Sequence, residues 1–470
     1  MRSKSNAIAM PDRSTLLKIF GAALAIRWTY ALLLFAFMGE GGLKGVDSYS
    51  YVTWAQAFAD AISNGSVRGW NWFGPHPSVM PLYIGLFALT DLLFGALGPL
   101  ASVLIQGIVD SATCLLIFRM ARAIDPRYAL PAAIAAVINP TQIVMSGLVY
   151  PDTLFVFFVA LSLLGSVRWL QTPSPGSAAL IAMGLGGAML CRILIVPWAA
   201  ALLVFLIAAA ALRRRLSLRA VGQLSGVALV LALCIGAVMG RNVAQSGAWS
   251  LTSQGGQHLL WVVPWVKQAH DGTPWIQGNE ELKARTIERF GAAPDEPFEM
   301  SRQYTEIANE AWRAMGVVPT AKAWIYGAVI SVVSPAIILS PPIIQIPRTG
   351  FYGTPGASMI EKMMNFLFSS ESAVYTWTLL IGIAGVIAIR LVQSAGLVVL
   401  IRQAWRHRGD DLAILILFVL WIGFILAVNG PVASPKYRLP IEPVLNILTG
   451  IGWCQMLRWR RRRLRSDTVS

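Results

Sequence analysis

The sequence is dominated by apolar segments of the length that a helix needs to cross a lipid bilayer. A helix crosses the roughly 30 Å hydrocarbon layer with about 20 apolar residues. The first such segment is Leu16 to Phe37. Further segments start near Leu100, Tyr128, Thr153, Val221, Leu412 and Ile441. Because 56% of the residues are hydrophobic and only 13% are charged, the composition differs from that of a soluble domain. We therefore expect an all-α protein that crosses the membrane many times.

Basic residues outnumber acidic residues by 38 to 23 and cluster at the ends of apolar segments. The clusters are Arg2, Lys4, Arg13 and Lys18; Arg213 to Arg215 with Arg219; and Arg458 to Arg465. Such clusters usually lie on the cytoplasmic side and face anionic headgroups, so we expect a lipid bilayer and no nucleic acid as partner. The four cysteines have no CxxC spacing, which indicates neither disulfides nor a thiolate metal site.

The basic clusters place the stretch from Gly39 to Pro99 outside the cytoplasm. The N-terminus and the cluster from Arg119 to Arg127 should both be cytoplasmic, which requires an even number of crossings between them. Leu16 to Phe37 and Leu100 to Phe118 supply two crossings. The stretch between these two spans should therefore form one outer loop.

Two helices are expected within this outer loop. Pro81 to Phe94 is apolar, but a segment of about 14 residues makes only about 21 Å of helix. This length is short for a transmembrane span. Apolar residues also recur at helical spacing at Tyr51, Trp54, Phe58 and Ile62. We expect both helices to lie at the membrane interface, within a bundle of about 10 to 13 transmembrane helices.

The expected spans and polar regions divide the chain into three parts. Residues 1–240 form a transmembrane module that contains the first outer loop, 39–99. Residues 241–321 are the longest polar region and are expected to be external. Residues 322–470 form a second transmembrane module, in which Trp324 to Ile344 could be a span, a re-entrant segment or an interfacial helix.

Charged side chains from distant segments are expected to gather at the outer face. They are Asp47, His76, Asp152, Arg192, Lys436 and Arg438. A carboxylate can take a proton from a hydroxyl or hold a metal ion, and Arg and Lys can neutralise a departing phosphate. This combination favours group transfer from a phospholipid donor. The sequence contains no GxxxxGK[ST] or HExxH motif and no strand followed by GxGxxG.

Five of these residues also have a structural interpretation. Lys436 and Arg438 could simply reach lipid phosphates at the interface. Asp152 could cap the helix that starts at Thr153 and serve the site as well. His76 could be a turn residue before Pro77. Arg192, which interrupts the apolar run from Gly176 to Leu212, could be a charge at a hairpin tip that reaches lipid headgroups.

Several short motifs follow one another along nearly the whole chain. They are Asp47 with Tyr51; His76-Pro77 before Pro81-Leu82-Tyr83; Asn139-Pro140 before Pro151-Asp152; Leu190-Cys191-Arg192; Arg241-Asn242 before Gln254-Gly255-Gly256; and Lys436-Tyr437-Arg438-Leu439-Pro440. Their order and membrane side resemble the GT-C membrane glycosyltransferases, especially bacterial relatives of protein O-mannosyltransferases and of the lipid A aminoarabinose transferase. The chain departs from that pattern where Ser48 replaces a second acid and Ser78 replaces a second proline.

The resemblance implies a GT-C-like bundle that uses a polyprenyl-monophosphate sugar as donor. It implies an inverting transfer to a lipid, glycan or protein acceptor of the cell envelope, chosen by region 241–321. The enzyme would be a multi-pass protein of the bacterial cytoplasmic membrane whose active site faces the periplasm or exterior.

The resemblance also implies roles for individual residues. Asp47 would be the general base, and Asp152 would assist it or orient the acceptor. The residues expected to bind substrate or the donor phosphate are Tyr51, His76, Arg192, Lys436, Tyr437 and Arg438. Because the second acid is missing, two options stay open: Mg²⁺ or Mn²⁺ shared by Asp47 and Asp152, or base catalysis without a required cofactor.

Three other classes of protein fit the outer charges, and one of them is a glycan polymerase or ligase. A transporter or flippase of lipid-linked sugars would need outer cations and many spans, but the sequence shows no inverted repeat or paired broken helices. A non-catalytic subunit of a glycan assembly complex would tolerate replacement of Asp47.

Overall fold

The computed structural model describes residues 13–74, 76–347, 354–356, 359–368 and 372–466. Arg2 and Lys4 of the first basic cluster lie outside the described residues. Within these ranges the chain forms twenty α-helices with short 3-10 turns and no strand, so the prediction of an all-α fold is confirmed.

The helices of the first half are α1 (Arg13–Met38), α2 (Ser48–Ser63), α3 (Pro81–Phe94), α4 (Gly98–Ile124), α5 (Pro126–Val137), α6 (Pro140–Ser146), α7 (Asp152–Gln171), α8 (Pro175–Cys191), α9 (Ile195–Leu212) and α10 (Leu218–Ser246). Those of the second half are α11 (Gln254–Asp271), α12 (Trp275–Phe290), α13 (Pro297–Met315), α14 (Val317–Val333), α15 (Pro341–Ile344), α16 (Met359–Phe368), α17 (Ala373–His407), α18 (Asp410–Asn429), α19 (Pro435–Arg438) and α20 (Glu442–Ser466).

Seven helices of the described chain are long and apolar enough to cross a membrane, or nine if two bent pairs are counted as single spans. The chain is therefore a multi-pass membrane protein. This count, made by length and composition, is below the expected ten to thirteen. Helix α8, with 17 residues, and the arginine-rich α20 belong to the bundle but are outside the count.

Helices α3 and α4 form one candidate stretch of 44 residues, Pro81–Ile124. Such a stretch corresponds to about 66 Å of helix, which is more than a single crossing requires. This length leaves room for the interfacial position predicted for α3. The apolar segment that starts near Tyr128 is two helices, because α5 and α6 meet at an angle of 49°. Asn139 causes the break, since its Oδ1 accepts hydrogen bonds from the N–H groups of Thr141 and Gln142 and caps α6.

Helices α7 and α8 pack with their backbones in close contact. A Cβ atom at Gly184 of α8 would lie 2.4 Å from the backbone nitrogen of Ser162 of α7. Small residues at such contacts are a common way for membrane helices to associate. This contact fixes the C-terminal end of α8 and therefore the residue that follows it, Arg192.

The buried apolar side chains form two clusters. The larger one extends from Ile19 to Ile451 and is the core of the membrane bundle. The smaller one joins α11, α12 and α13 through Leu260, Leu282 and Ile307. Region 241–321 thus has apolar packing of its own, and the three-part division stays a prediction.

A chain of buried polar side chains crosses the bundle from α1 to α20. Its hydrogen bonds are Arg27 Nε to Asp110 Oδ2 (2.6 Å), Gln142 Nε2 to Asp110 Oδ1 (3.0 Å), Asn446 Nδ2 to Gln142 Oε1 (2.7 Å), Asn139 Nδ2 to Asn446 Oδ1 (3.0 Å) and Glu442 Oε2 (2.8 Å), and Arg438 Nε to Glu442 Oε1 (2.8 Å). Buried polar groups linked in this way rigidify a core and define its arrangement. We call this set the polar chain.

Candidate active site

Asp47 immediately precedes α2, in a turn that is attached to the segment before α7. Ser48 Oγ donates a hydrogen bond to the carbonyl of Val149 (2.9 Å). The backbone N–H of Asp47 donates to the hydroxyl of Tyr150 (3.2 Å). A Cβ atom at Gly45 would lie 2.3 Å from that hydroxyl, so the close approach requires glycine at this position. These contacts bring the two acids of the sequence analysis, Asp47 and Asp152, to the same region.

Each of the two acids is paired with a cation. Lys436 Nζ lies 2.5 Å from Asp47 Oδ2, and Arg192 Nη2 lies 2.6 Å from Asp152 Oδ2. The two carboxylates differ in accessibility, because the Asp47 side chain is 53% exposed and that of Asp152 only 5%. The carboxylate of Asp47 is therefore accessible, whereas that of Asp152 is enclosed beside Arg192.

Tyr51 of α2 connects the two ion pairs. Its hydroxyl is in electrostatic contact with Arg192, Lys436, Asp152 and Asp47. Burial raises the pKa of Tyr51, and the two cations only partly oppose this effect. The tyrosine is therefore neutral and can donate a hydrogen bond at physiological pH.

Lys436 is charged although it is buried. Burial alone would lower the pKa of Lys436, but the carboxylates of Asp152 and Asp47 and the side chain of Tyr437 outweigh burial and raise it. The ammonium group also lies 4.7 Å from the ring centre of Tyr150, a favourable cation–π distance. Sequence reasoning missed Tyr150, and its only signal was its position directly before Pro151-Asp152.

Arg438 is not brought to this cluster. Its guanidinium donates to Glu442 Oε1, to the backbone carbonyls of Ser331 (3.0 Å) and Ser334 (2.7 Å), and to Thr141 Oγ1 (2.9 Å). With 2% of the residue exposed, it belongs to the polar chain. The expectation that Arg438 holds a donor phosphate finds no support in this geometry.

Two cavities meet at Tyr51 and Gln254, which line both. The Arg192 cavity, of about 400 Å³, is lined by Tyr51, Val79, Met80, Tyr83, Pro151, Cys191, Arg192, Ile193, Leu194, Thr252, Gln254, Gly255, His258, Val428, Asn429 and Tyr437. The Asp47 cavity, of about 600 Å³, is lined by Val46, Asp47, Ser50, Tyr51, Trp54, His76, Ser78, Ser253, Gln254, Gln257, Trp261, Asp295, Pro297, Met300, Ser301 and Tyr304.

His76 lines the Asp47 cavity and is also part of a turn. Its imidazole stacks on Trp54, with ring centres 4.8 Å apart, and its Nδ1 accepts a hydrogen bond from the N–H of Ser78 (3.2 Å). Burial, with a smaller contribution from the charge of Arg241, lowers the pKa of His76. The ring is therefore neutral at pH 7 and holds the aromatic wall of the cavity in place.

Asp152 and Arg192 lie at the ends of two neighbouring helices. Asp152 is the first residue of α7, after the N-cap residue Pro151, and its side chain is paired with Arg192. Arg192 follows the last residue of α8, where the predicted break in the apolar run occurs. The two side chains bind each other across α7 and α8.

The two acids do not fit a divalent ion shared between them. Each already has a cation within 2.6 Å. Among the described residues there is no group of three or more His, Cys, Asp or Glu side chains that could hold a metal ion. The charges of the site are matched by Lys436 and Arg192, so no catalytic step is assigned to a metal here.

Comparison with known proteins supports the fold. Residues 75–239 match the family model of the dolichyl-phosphate-mannose-protein mannosyltransferases. The archaeal oligosaccharyltransferase AglB from Archaeoglobus fulgidus, solved in complex with an inhibitory peptide and a dolichol-phosphate, is 14% identical with a TM-score of 0.52 over 97% of this chain and 52% of that chain. An oligosaccharyltransferase from Archaeoglobus fulgidus solved in complex with Zn and sulfate has a TM-score of 0.50 at 14% identity, over 96% of this chain and 50% of that chain.

A third structure, ArnT from Cupriavidus metallidurans bound to undecaprenyl phosphate, has a TM-score of only 0.37 at 14% identity, over 94% of this chain and 77% of that chain. The chain spans about half the length of the oligosaccharyltransferase it matches. A search of curated protein sequences finds no match. The all-helical membrane bundle and the architecture that it shares with the oligosaccharyltransferases show that the chain has a GT-C-like fold.

Proposed function

We propose that this protein transfers a sugar from a polyprenyl-monophosphate donor to a hydroxyl group of a cell-envelope acceptor, with inversion, at the outer face of the bacterial cytoplasmic membrane. The proposal rests chiefly on one observation. Asp47, an accessible carboxylate, is held by the buried cation Lys436 next to the wall that separates the Arg192 cavity from the Asp47 cavity.

The Arg192 cavity suits the donor. Arg192 Nε is buried and donates to no described residue, although it lies in the wall of the cavity. Arginine binds phosphate oxygens with several charge-assisted hydrogen bonds, and an unsatisfied buried donor is costly unless a ligand accepts from it. Apolar side chains beside it, such as Ile193 and Leu194, suit a prenyl chain. The AglB structure of similar fold contains a dolichol-phosphate, which agrees with this assignment.

The Asp47 cavity suits the acceptor. An acceptor hydroxyl next to Asp47 gives its proton to the carboxylate while its oxygen forms a bond to C1 of the donor sugar. The bond between C1 and the phosphate oxygen breaks, and the phosphate leaves with the electron pair. Arg192 and Lys436 neutralise the charge that develops on it. A single displacement of this kind inverts the configuration at C1.

The remaining residues position these groups. Tyr51 interacts electrostatically with both cations and both carboxylates, and Asp152 fixes Arg192 through their ion pair. Asp152 is therefore a positioning residue, and Asp47 is the catalytic base.

The test is mass spectrometry of lipid-linked sugars and surface glycans in cells that lack the protein, complemented with wild type or with Asp47→Asn at equal expression. We expect a polyprenyl-phosphate sugar to accumulate and one glycan residue to be lost, with recovery by wild type alone. Positioned proton transfer contributes roughly 10² to 10⁴ in rate, so Asp47→Asn should lose about that factor. Asp60→Asn, which replaces an exposed acid on the same helix, is the matched control.

Full recovery by Asp47→Asn would contradict the role of Asp47 as base. A transporter or a non-catalytic subunit would then explain the outer charges better.

A further inference from the structure

We infer that the acceptor is an uncharged sugar, bound in the Asp47 cavity between α2, α11 and α13. This inference rests on the proposed transferase function and adds the chemical class of its second substrate. The cavity combines aromatic rings, neutral hydrogen-bonding groups and negative charge.

The aromatic rings come from both sides of the cavity. Trp54 of α2 is covered on one face by His76 at 4.8 Å. Trp261 of α11 packs against Trp275 with ring centres 5.2 Å apart and remains 42% exposed. Both indoles line the cavity, and both are supported from one side. Flat, rigid aromatic surfaces in a cavity bind ligands that have an apolar face and a polar edge, and the C–H face of a sugar ring is such a surface.

Neutral hydrogen-bonding side chains surround these rings. Those that line the cavity are Ser50, Ser78, Ser253, Gln254, Gln257 and Ser301. Gln254 and Gln257 are exposed. Primary amides both donate and accept hydrogen bonds, which matches the adjacent hydroxyl groups of a sugar. A volume of about 600 Å³ lies within the usual range for small-molecule sites, about 300–1,000 Å³, and accommodates a short oligosaccharide.

The charge of the cavity disfavours an anionic acceptor. Asp295 lines it, the charge of Asp47 is matched by Lys436, and no Lys or Arg is found among the described lining residues to bind an anion. The Arg192 cavity, in contrast, has a cationic wall. A phosphorylated acceptor would bring like charges together in the Asp47 cavity, which like-charge repulsion disfavours. The two cavities therefore separate an anionic donor from an uncharged acceptor.

The experiment measures binding of defined saccharides to the purified full-length protein by saturation-transfer NMR. The probes are short neutral oligosaccharides of glucose, galactose, mannose and N-acetylglucosamine, their phosphorylated counterparts, and a serine-rich peptide. We expect a neutral oligosaccharide to bind, and Trp261→Ala to weaken this binding at least tenfold. Trp249→Ala removes an indole that is 79% exposed and does not line the cavity, so it should change binding less than twofold.

Reversing the charge of Asp295 gives a second test, in which a gain of binding is expected, and a misfolded protein cannot produce such a gain. Asp295→Lys should improve binding of the phosphorylated counterpart relative to the neutral oligosaccharide. The inference is overturned if only phosphorylated sugars or the peptide bind, if nothing in the panel binds, or if Trp261→Ala and Trp249→Ala have equal effects. Saccharide binding without any transfer in the complementation assay would instead refute the proposed function and leave the sugar site intact.

Discussion

Lys436 and Arg438 are two residues apart in one short helix, yet their side chains serve different parts of the protein. Lys436 pairs with the exposed carboxylate of Asp47. Arg438 is enclosed by Glu442, whose side chain is 3% exposed, and by backbone carbonyls. Loss of the first cation leaves a carboxylate that water can solvate, whereas loss of the second leaves a buried charge.

We predict different effects when Lys436 and Arg438 are each replaced with methionine. Lys436→Met should lower the transfer rate and leave the free energy of unfolding within about 1 kcal/mol of wild type, because Asp47 stays hydrated. Arg438→Met should lower the free energy of unfolding by roughly 3–5 kcal/mol, because Glu442 loses its main partner. Thermal unfolding in detergent and the transfer assay distinguish them. Equal stability of the two variants would show that Arg438 does not have this structural role.

The lowered pKa of His76 makes part of the stability depend on pH. Since burial and Arg241 hold the folded-state pKa below its usual value of 6.5, the unfolded chain takes up a proton at a higher pH than the folded one does. The contribution to stability is therefore fully present above pH 6.5 and is lost as the pH falls through the lowered pKa. His76→Gln should flatten the decrease in unfolding temperature between pH 7 and pH 5.

His270→Gln is the control for this measurement. His270 is an exposed histidine at the end of α11. If both variants change the pH profile equally, the effect does not come from His76.

The sequence indicates the polar residues of the site better than the aromatic ones. Arg192 interrupts an apolar run, and Asp47 lies where the first apolar segment gives way to polar sequence, so the position of each charge marks it. Trp261 and Tyr150 lie among many aromatic residues, and nothing in the sequence distinguishes a ring that lines a cavity from one in the core. Arg438 is expected beside Lys436 at the outer face but belongs to the polar chain. Two charges in one motif show that the residues are close in sequence, but they do not show which side of the helix each side chain faces.

At the scale of elements, the contact between α7 and α8 determines where Arg192 lies. The space at Gly184 is filled by the backbone of α7 at Ser162. A methyl group there must push the two helices apart, and the end of α8 moves with them. The ion pair between Arg192 and Asp152 then lengthens.

Gly184→Ala should therefore lower the free energy of unfolding by roughly 1–3 kcal/mol and also reduce transfer. Gly176→Ala is the matched control on the same helix, because a methyl group added there would have no other atom within 4 Å. Alanine is the better helix former by about 1 kcal/mol, so this variant should be as stable as wild type or slightly more stable. A stable, active Gly184→Ala protein would show that the helices can separate at no cost.

The boundaries of elements are predictable where a charge interrupts an apolar run. The break at Cys191-Arg192 is expected for that reason and because the run is too long for one span. Hydropathy alone does not show the break at Asn139, but Pro140 indicates it, because a proline disfavours the helical conformation of the residue before it. Its cause is local, as the Asn139 side chain caps α6.

At the scale of the whole molecule, the polar chain joins helices that are distant in sequence. Arg27 of α1 is 1% exposed and pairs with Asp110 of α4 at 2.6 Å. Glu442 and Asn446 of α20 are connected to the same chain through Asn139 and Gln142. The bundle is therefore held by polar contacts as well as by apolar packing.

Asp110→Asn should lower the free energy of unfolding by roughly 3–5 kcal/mol, because Arg27 would be left buried without its counter-charge. Glu40→Gln removes an ion pair to Lys44 in which the Glu40 side chain is 42% exposed, so it should cost at most about 1 kcal/mol. Thermal unfolding in detergent measures both. Similar values for the two variants would mean that the polar chain adds nothing to stability.

The polar chain also has a consequence for how the protein is made. While the ribosome is still synthesising the chain, α1 enters the bilayer with Arg27 unpaired, at a cost of roughly 2.5–3.5 kcal/mol for a cation at a helix centre. Its partner Asp110 emerges only with α4, so we expect the insertion machinery to retain α1 until then. Asn446 and Glu442 emerge only with α20, so the polar chain forms fully once α20 has docked.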